Sequence, residues 1–90
     1  MESLDDTLLI IGEKLRYLRT KSGFESHEKF AITYDISRSL YWKIENGKAN
    51  MTMKTFIRLL DIHSISLEVF MSKTQRAKAD TVSRGRRANK

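Results

Sequence analysis

Between Ser26 and Gly47 the chain reads SHEKFAITYDISRSLYWKIENG, and a short helix there would turn Arg38, Ser39, Trp42 and Lys43 outward. These side chains suit non-covalent recognition of a nucleic-acid groove. A guanidinium carries paired donors that match the two acceptors on the major-groove edge of guanine, which makes Arg38 a candidate base reader. The Ser39 hydroxyl can serve either base class, and Lys43, one turn further on, reaches a base or the neighbouring phosphate. Asn46 and Lys48 follow the helix and suit backbone contacts that fix docking.

Such side chains need a stiff support, and the flanking residues describe one. Ser26 is an N-cap residue, and Phe30, Ala31 and Tyr34 form the inner face of a helix that starts after it. Asp35 stands where the chain must turn sharply, since Asp tolerates left-handed backbone better than most residues. Ile36 anchors the turn, Ser37 caps the next helix, Tyr41 and Ile44 set its inner side, and Gly47 ends it. Two short helices joined by a three- to four-residue turn, with a small residue at their crossing, form a helix-turn-helix unit.

The remaining periodicity is also helical. Leu4, Leu8, Ile11, Leu15 and Leu18 form one apolar stripe, with Gly12 beside it to permit close packing, and Ser22-Gly23 ends this first helix near Lys21. Thr52 caps a fourth helix in which Met53, Phe56, Ile57, Leu59 and Leu60 are expected to be buried. After a break at Ser64–Ser66, Leu67 and Phe70 anchor a short fifth helix. The expected fold is all-α: a compact five-helix domain over residues 1–72, with the helix-turn-helix at 26–47 and a flexible basic tail at 73–90.

The 90 residues carry a formal net charge of +6, and its distribution matters more than its size. Residues 1–72 hold ten Lys/Arg against ten Asp/Glu, whereas 73–90 hold seven against one Asp, so the whole excess lies in the tail. Near DNA such a tail adds salt-sensitive, sequence-independent attraction; its other reading is a solubilising terminus. There is no cysteine, so disulfides and thiolate metal sites are excluded, and His27 and His63 lie too far apart for a zinc pair. No nucleotide-binding loop, metal cluster or nucleophile arrangement stands out, so neither enzymatic activity nor a cofactor is expected. The run LLII is far short of a membrane span, and acidic residues precede it, unlike a signal peptide; a soluble cytoplasmic protein is the expectation.

The order and spacing of several segments resemble the lambda-repressor-like domains of phage repressors and Cro proteins, the Cro/C1-type or XRE family. These are EKLRYLR in the first helix, the small Ala31, ISRS entering the third helix, KIENGK at 43–48, then TFIRLL and SISLEVF. The resemblance covers roughly residues 9–71 and implies sequence-specific binding of double-stranded DNA by a bacterial or phage-derived transcriptional repressor, acting as a homodimer. It puts base contacts on Ser37, Arg38, Ser39 and Lys43. Backbone or supporting contacts fall on His27, Arg19, Trp42, Asn46 and Lys48, and Arg19 is expected to pair with Glu45. Departures from the family pattern include a longer link between Phe24 and Phe30, Asp35 for a frequent turn glycine, and Trp42 for a smaller polar residue. Met51 and His63 replace a frequent proline and a core leucine. Trp42 can stack on sugar, touch a thymine methyl or pack beside Tyr41, and His27 can hold a phosphate or be plain surface. Helix 5, around Leu67, Phe70 and Met71, offers a dimer surface; the other reading of these residues is burial within the monomer. The rival reading is an antitoxin-like or phage-derived module that keeps the fold and binds a protein such as a toxin.

Overall fold

The computed structural model describes residues 3–72, and the tail expected at 73–90 lies outside the described residues. The five expected helices are present: α1 (Leu4–Lys21), α2 (His27–Thr33), α3 (Arg38–Glu45), α4 (Met53–Ile62) and α5 (Leu67–Phe70). Serine hydroxyls at Ser3, Ser26, Ser37 and Ser66 accept the N–H three residues on at the starts of α1, α2, α3 and α5. Thr52 does the same for α4 through the Thr55 N–H. Each cap satisfies one of the amide groups that a helix start leaves unbonded.

One device ends the first four helices and makes the connections short. In each, a residue just past the helix takes positive φ: Gly23 (102°), Asp35 (57°), Gly47 (70°) and Ser64 (53°). The next N–H then returns to a carbonyl five residues back, as Phe24 to Arg19, Ile36 to Ala31, Lys48 to Lys43 and Ile65 to Leu60. This is the Schellman arrangement, which satisfies orphan carbonyls and reverses the chain within a few residues. It needs left-handed backbone, which costs an L-residue about 1–2 kcal/mol. Asp35→Gly is therefore expected to raise stability by up to about 1 kcal/mol, after the entropy glycine loses on folding. A thermal melt reads this as a rise of a few degrees, and a fall would count against strain at Asp35.

The described residues fall into two units, one up to Thr55 and one from Phe56 onward. The first contains the helix-turn-helix. Its buried core is Leu15 of α1, Phe30 and Ala31 of α2, and Tyr41 and Ile44 of α3. Phe24, Phe30, Tyr34 and Tyr41 chain their rings: Phe24 meets Phe30 edge-on at 5.3 Å, and Phe30 stacks on Tyr41 at 4.9 Å. Such contacts are directional as well as apolar, so they set how α2 lies against α3. In the second unit Phe56, Leu59, Leu60 and Phe70 are buried, with Phe56 and Phe70 edge-to-face at 5.4 Å.

Four residues expected in the core are exposed. Leu4 lies in the first turn of α1, ahead of the stretch of stripe that is covered, so periodicity alone overstates its burial. Met53 and Ile57 stand one turn apart on α4, and that row faces out while Phe56, Leu59 and Leu60 face in; Met53 is 65% exposed. Leu67 is exposed as well, and Phe70 alone anchors α5. Phe70 is fully buried and so drops out of the surface expected for dimer contact, which leaves Leu67 and Met71.

Candidate nucleic-acid interface

The outward side of α3 and the start of α2 enclose an open groove of about 620 Å³, lined by His27, Glu28, Ser37, Arg38, Ser39, Trp42 and Lys43. Five of these belong to the α3 segment, and the Ile36 N–H bond to the Ala31 carbonyl (2.8 Å) fixes where that segment starts relative to α2. Arg38, Ser39 and Lys43 are exposed, and Trp42 is 42% exposed. His27 is half-buried at the first position of α2. Ser37 serves two purposes: its hydroxyl oxygen caps α3 through the Leu40 N–H, and it lies 3.4 Å from the Ser39 hydroxyl. Glu28, in the first turn of α2, adds a carboxylate to the groove wall. It is an acceptor only, beside donor-rich Arg38 and Lys43.

Behind the groove an ion pair ties α3 to α1. Arg19 Nε donates to Glu45 Oε2 at 2.7 Å and a terminal nitrogen donates to Glu45 Oε1 at 3.0 Å, while the other terminal nitrogen donates to the Phe24 carbonyl at 2.8 Å. Both residues are buried, Arg19 at 6% and Glu45 at 4% exposure. The bidentate fork is the strong geometry for a guanidinium and a carboxylate. The hydrogen bond to Glu45 holds the Arg19 guanidinium above its ordinary pKa, so its charge is permanent. Burial, reinforced by Glu45, pushes the Tyr41 phenol far above its usual range, so it stays neutral beside the pair. Arg19 thus directs its donors into the protein.

Arg16, which the sequence did not single out, extends the tie. It donates to the Asn46 side-chain oxygen at 3.3 Å and lies 3.6 Å from Glu45. Asn46 in turn donates to the Trp42 carbonyl at 2.8 Å, so its side chain braces the end of α3. The available signal was spacing: Arg16 precedes Arg19 by one helical turn and therefore shares its face. Lys48 is exposed just past α3, with its backbone N–H on the Lys43 carbonyl at 2.7 Å. Among the described residues no group of three or more His, Cys, Asp or Glu could hold a metal ion, and no helix is long and apolar enough to cross a membrane.

No protein-family model matches the chain. The control protein C.MunI of a Mycoplasma species is 38% identical over 50 residues, which span 56% of this chain and 68% of that protein. The chain belongs to the Cro/C1-like helix-turn-helix family. This helix-turn-helix protein is also 35% identical over 65 residues to YonR of Bacillus subtilis, a prophage-derived HTH-type transcriptional regulator that is otherwise uncharacterized. It is 36% identical over 61 residues to the plasmid copy control protein CopR of Streptococcus agalactiae. These matches span 72% and 68% of the chain, but only 59% and 63% of the relatives. Among solved structures, the restriction-modification controller protein C.AhdI of Aeromonas hydrophila superposes with a TM-score of 0.64 at 27% identity. That match covers 73% of this chain and 98% of the controller. The relatives are regulatory proteins, and this family member is not an enzyme.

Proposed function

We propose that this chain is a sequence-specific binder of double-stranded DNA that acts as a transcriptional repressor in the bacterial cytoplasm, on a bacterial or phage-derived genome. The observation that carries this reading is the groove, in which Arg38, Ser39 and Lys43 stand exposed on a helix braced from behind by buried ion pairing. In this reading α3 enters the major groove, with Ser37, Arg38, Ser39 and Lys43 at base edges. His27, Trp42, Asn46 and Lys48 support them or meet the backbone, and Arg19 acts through Glu45 by holding α3. One short helix spans only a few base pairs, so a useful site needs two copies. The exposed Leu67 and Met71 of the α5 segment offer apolar surface for a homodimer. The relatives named for transcriptional and copy-number control support the regulatory assignment.

Selection of bound duplexes from a random library by the intact protein tests this reading. The expected product is a pseudo-palindromic motif whose half-sites repeat about one DNA turn apart. Failure to retain DNA in a salt-sensitive manner, together with a tight complex with another protein, would favour the rival interaction module. Arg38→Ala tests the groove itself. A bidentate guanidinium–guanine contact discriminates bases by about 1–3 kcal/mol, so specific binding should fall roughly 5- to 150-fold while binding to scrambled duplex changes little. Equal losses on both duplexes would remove Arg38 from base reading.

A further inference from the structure

We propose that Trp42 is a specificity-determining residue that reads the C5-methyl group of a thymine in the major groove. The inference rests on the DNA-binding reading above and moves Trp42 within it from a supporting or backbone role to a base contact. Trp42 lies on the groove wall with Arg38, Ser39 and Lys43, and 42% of its surface is open. The inner side of α3 is already filled by Tyr41 and Ile44, both essentially buried, so the core does not call for the indole. The backbone that carries it is tied to the end of α3, because the Trp42 carbonyl accepts from both the Asn46 N–H (3.1 Å) and the Asn46 side chain (2.8 Å).

The chemistry of the groove narrows what the ring can meet. Indole has one N–H donor and no charge, so it is a poor phosphate ligand beside Arg38 and Lys43. The thymine methyl is the apolar feature that base pairs present in the major groove. Trp42 follows Arg38 by four residues, which places it on the same side of α3 and about 6 Å further along the axis. That offset is on the order of two base-pair steps at 3.4 Å each. With Arg38 on a guanine edge, the indole therefore reaches a pair up to two steps away, where a methyl can cover it.

The test uses the intact 90-residue protein and its selected operator, with each thymine replaced singly by deoxyuridine. This removes the methyl and leaves base pairing, sugar and phosphate unchanged. One thymine in each half-site is expected to matter, with affinity falling roughly three- to ten-fold on its replacement, the scale of one buried methyl. Trp42→Ala, folded by circular dichroism, should bind the natural operator more weakly and no longer respond at that position. Trp42→Gln serves as a second variant should the alanine protein not fold. An operator recognised specifically but indifferent to every deoxyuridine overturns the assignment and leaves the DNA-binding reading intact. Methyl sensitivity that survives the loss of the indole also overturns it. Absence of any sequence preference among duplexes overturns both.

Discussion

Replacing Gly12 with alanine is expected to lower the melting temperature by about 10 °C or more, although alanine is the better helix former. A Cβ at this position would stand 2.5 Å from the Glu45 carbonyl oxygen, 2.6 Å from that of Ile44 and 2.8 Å from the Glu45 carbonyl carbon. All three are backbone atoms of α3, so no side chain can rotate away and the helices must separate. Helix propensity favours Ala over Gly by about 1 kcal/mol, whereas overpacking a close contact costs about 1–3 kcal/mol or more. Here the clash falls on two carbonyls at the end of α3, beside the bidentate Arg19–Glu45 pair, so the upper part of that range applies. For a domain of this size about 2–3 kcal/mol moves the midpoint by roughly 10–20 °C. An unchanged or raised midpoint would show that α1 and α3 do not approach this closely.

Gly12 also shows what kind of information the sequence held. A glycine inside an apolar stripe signalled close packing, but the partner it approaches was not written in the stripe. Local features were legible because they rest on one or two residues: the serine caps, the turn at Asp35 and the stop at Gly47 follow from side-chain chemistry and backbone sterics. Burial was legible only in part. Periodicity names the face of a helix without saying how far another element covers it, which is why Met53, Ile57 and Leu67 are exposed. Charge alone does not decide burial either: Lys14 is only 8% exposed, and it stands three residues after Ile11 and four before Leu18, beside the apolar stripe.

The groove was legible by the same division. Its α3 residues share one helix and could be placed from spacing, whereas Glu28 enters from α2 and depended on how the two helices cross. That crossing is set by the rings of Phe24, Phe30, Tyr34 and Tyr41, contacts between elements that no single window of sequence contains. Net charge would have pointed elsewhere. Since residues 1–72 balance ten positive against ten negative groups, any site preference has to come from placement within the groove. The positive excess at 73–90 can strengthen attraction to DNA in this reading without choosing a sequence.

Glu45→Ala is expected to destabilise the protein by about 3–5 kcal/mol, because it removes one partner of a buried pair and leaves the other charge behind. Arg19 would keep its bond to the Phe24 carbonyl, but the two donors now held by Glu45 would lose their acceptor, while a guanidinium remains charged at any workable pH. Arg38→Ala, at an exposed site, should change stability by no more than about 0.5 kcal/mol. The two variants therefore separate the brace from the reader: the first collapses the melt, the second weakens recognition with the melt intact. Removing both charges distinguishes the mechanism further. If the cost comes from an uncompensated guanidinium, then Arg19→Met with Glu45→Leu should recover much of what Glu45→Ala loses, since well-packed apolar side chains often replace a buried ion pair without penalty. A double variant as unstable as Glu45→Ala would instead place the cost in the hydrogen bonds to Glu45 and Phe24. A midpoint for Glu45→Ala above that of Arg38→Ala would mean that the pair does not hold α3 to α1.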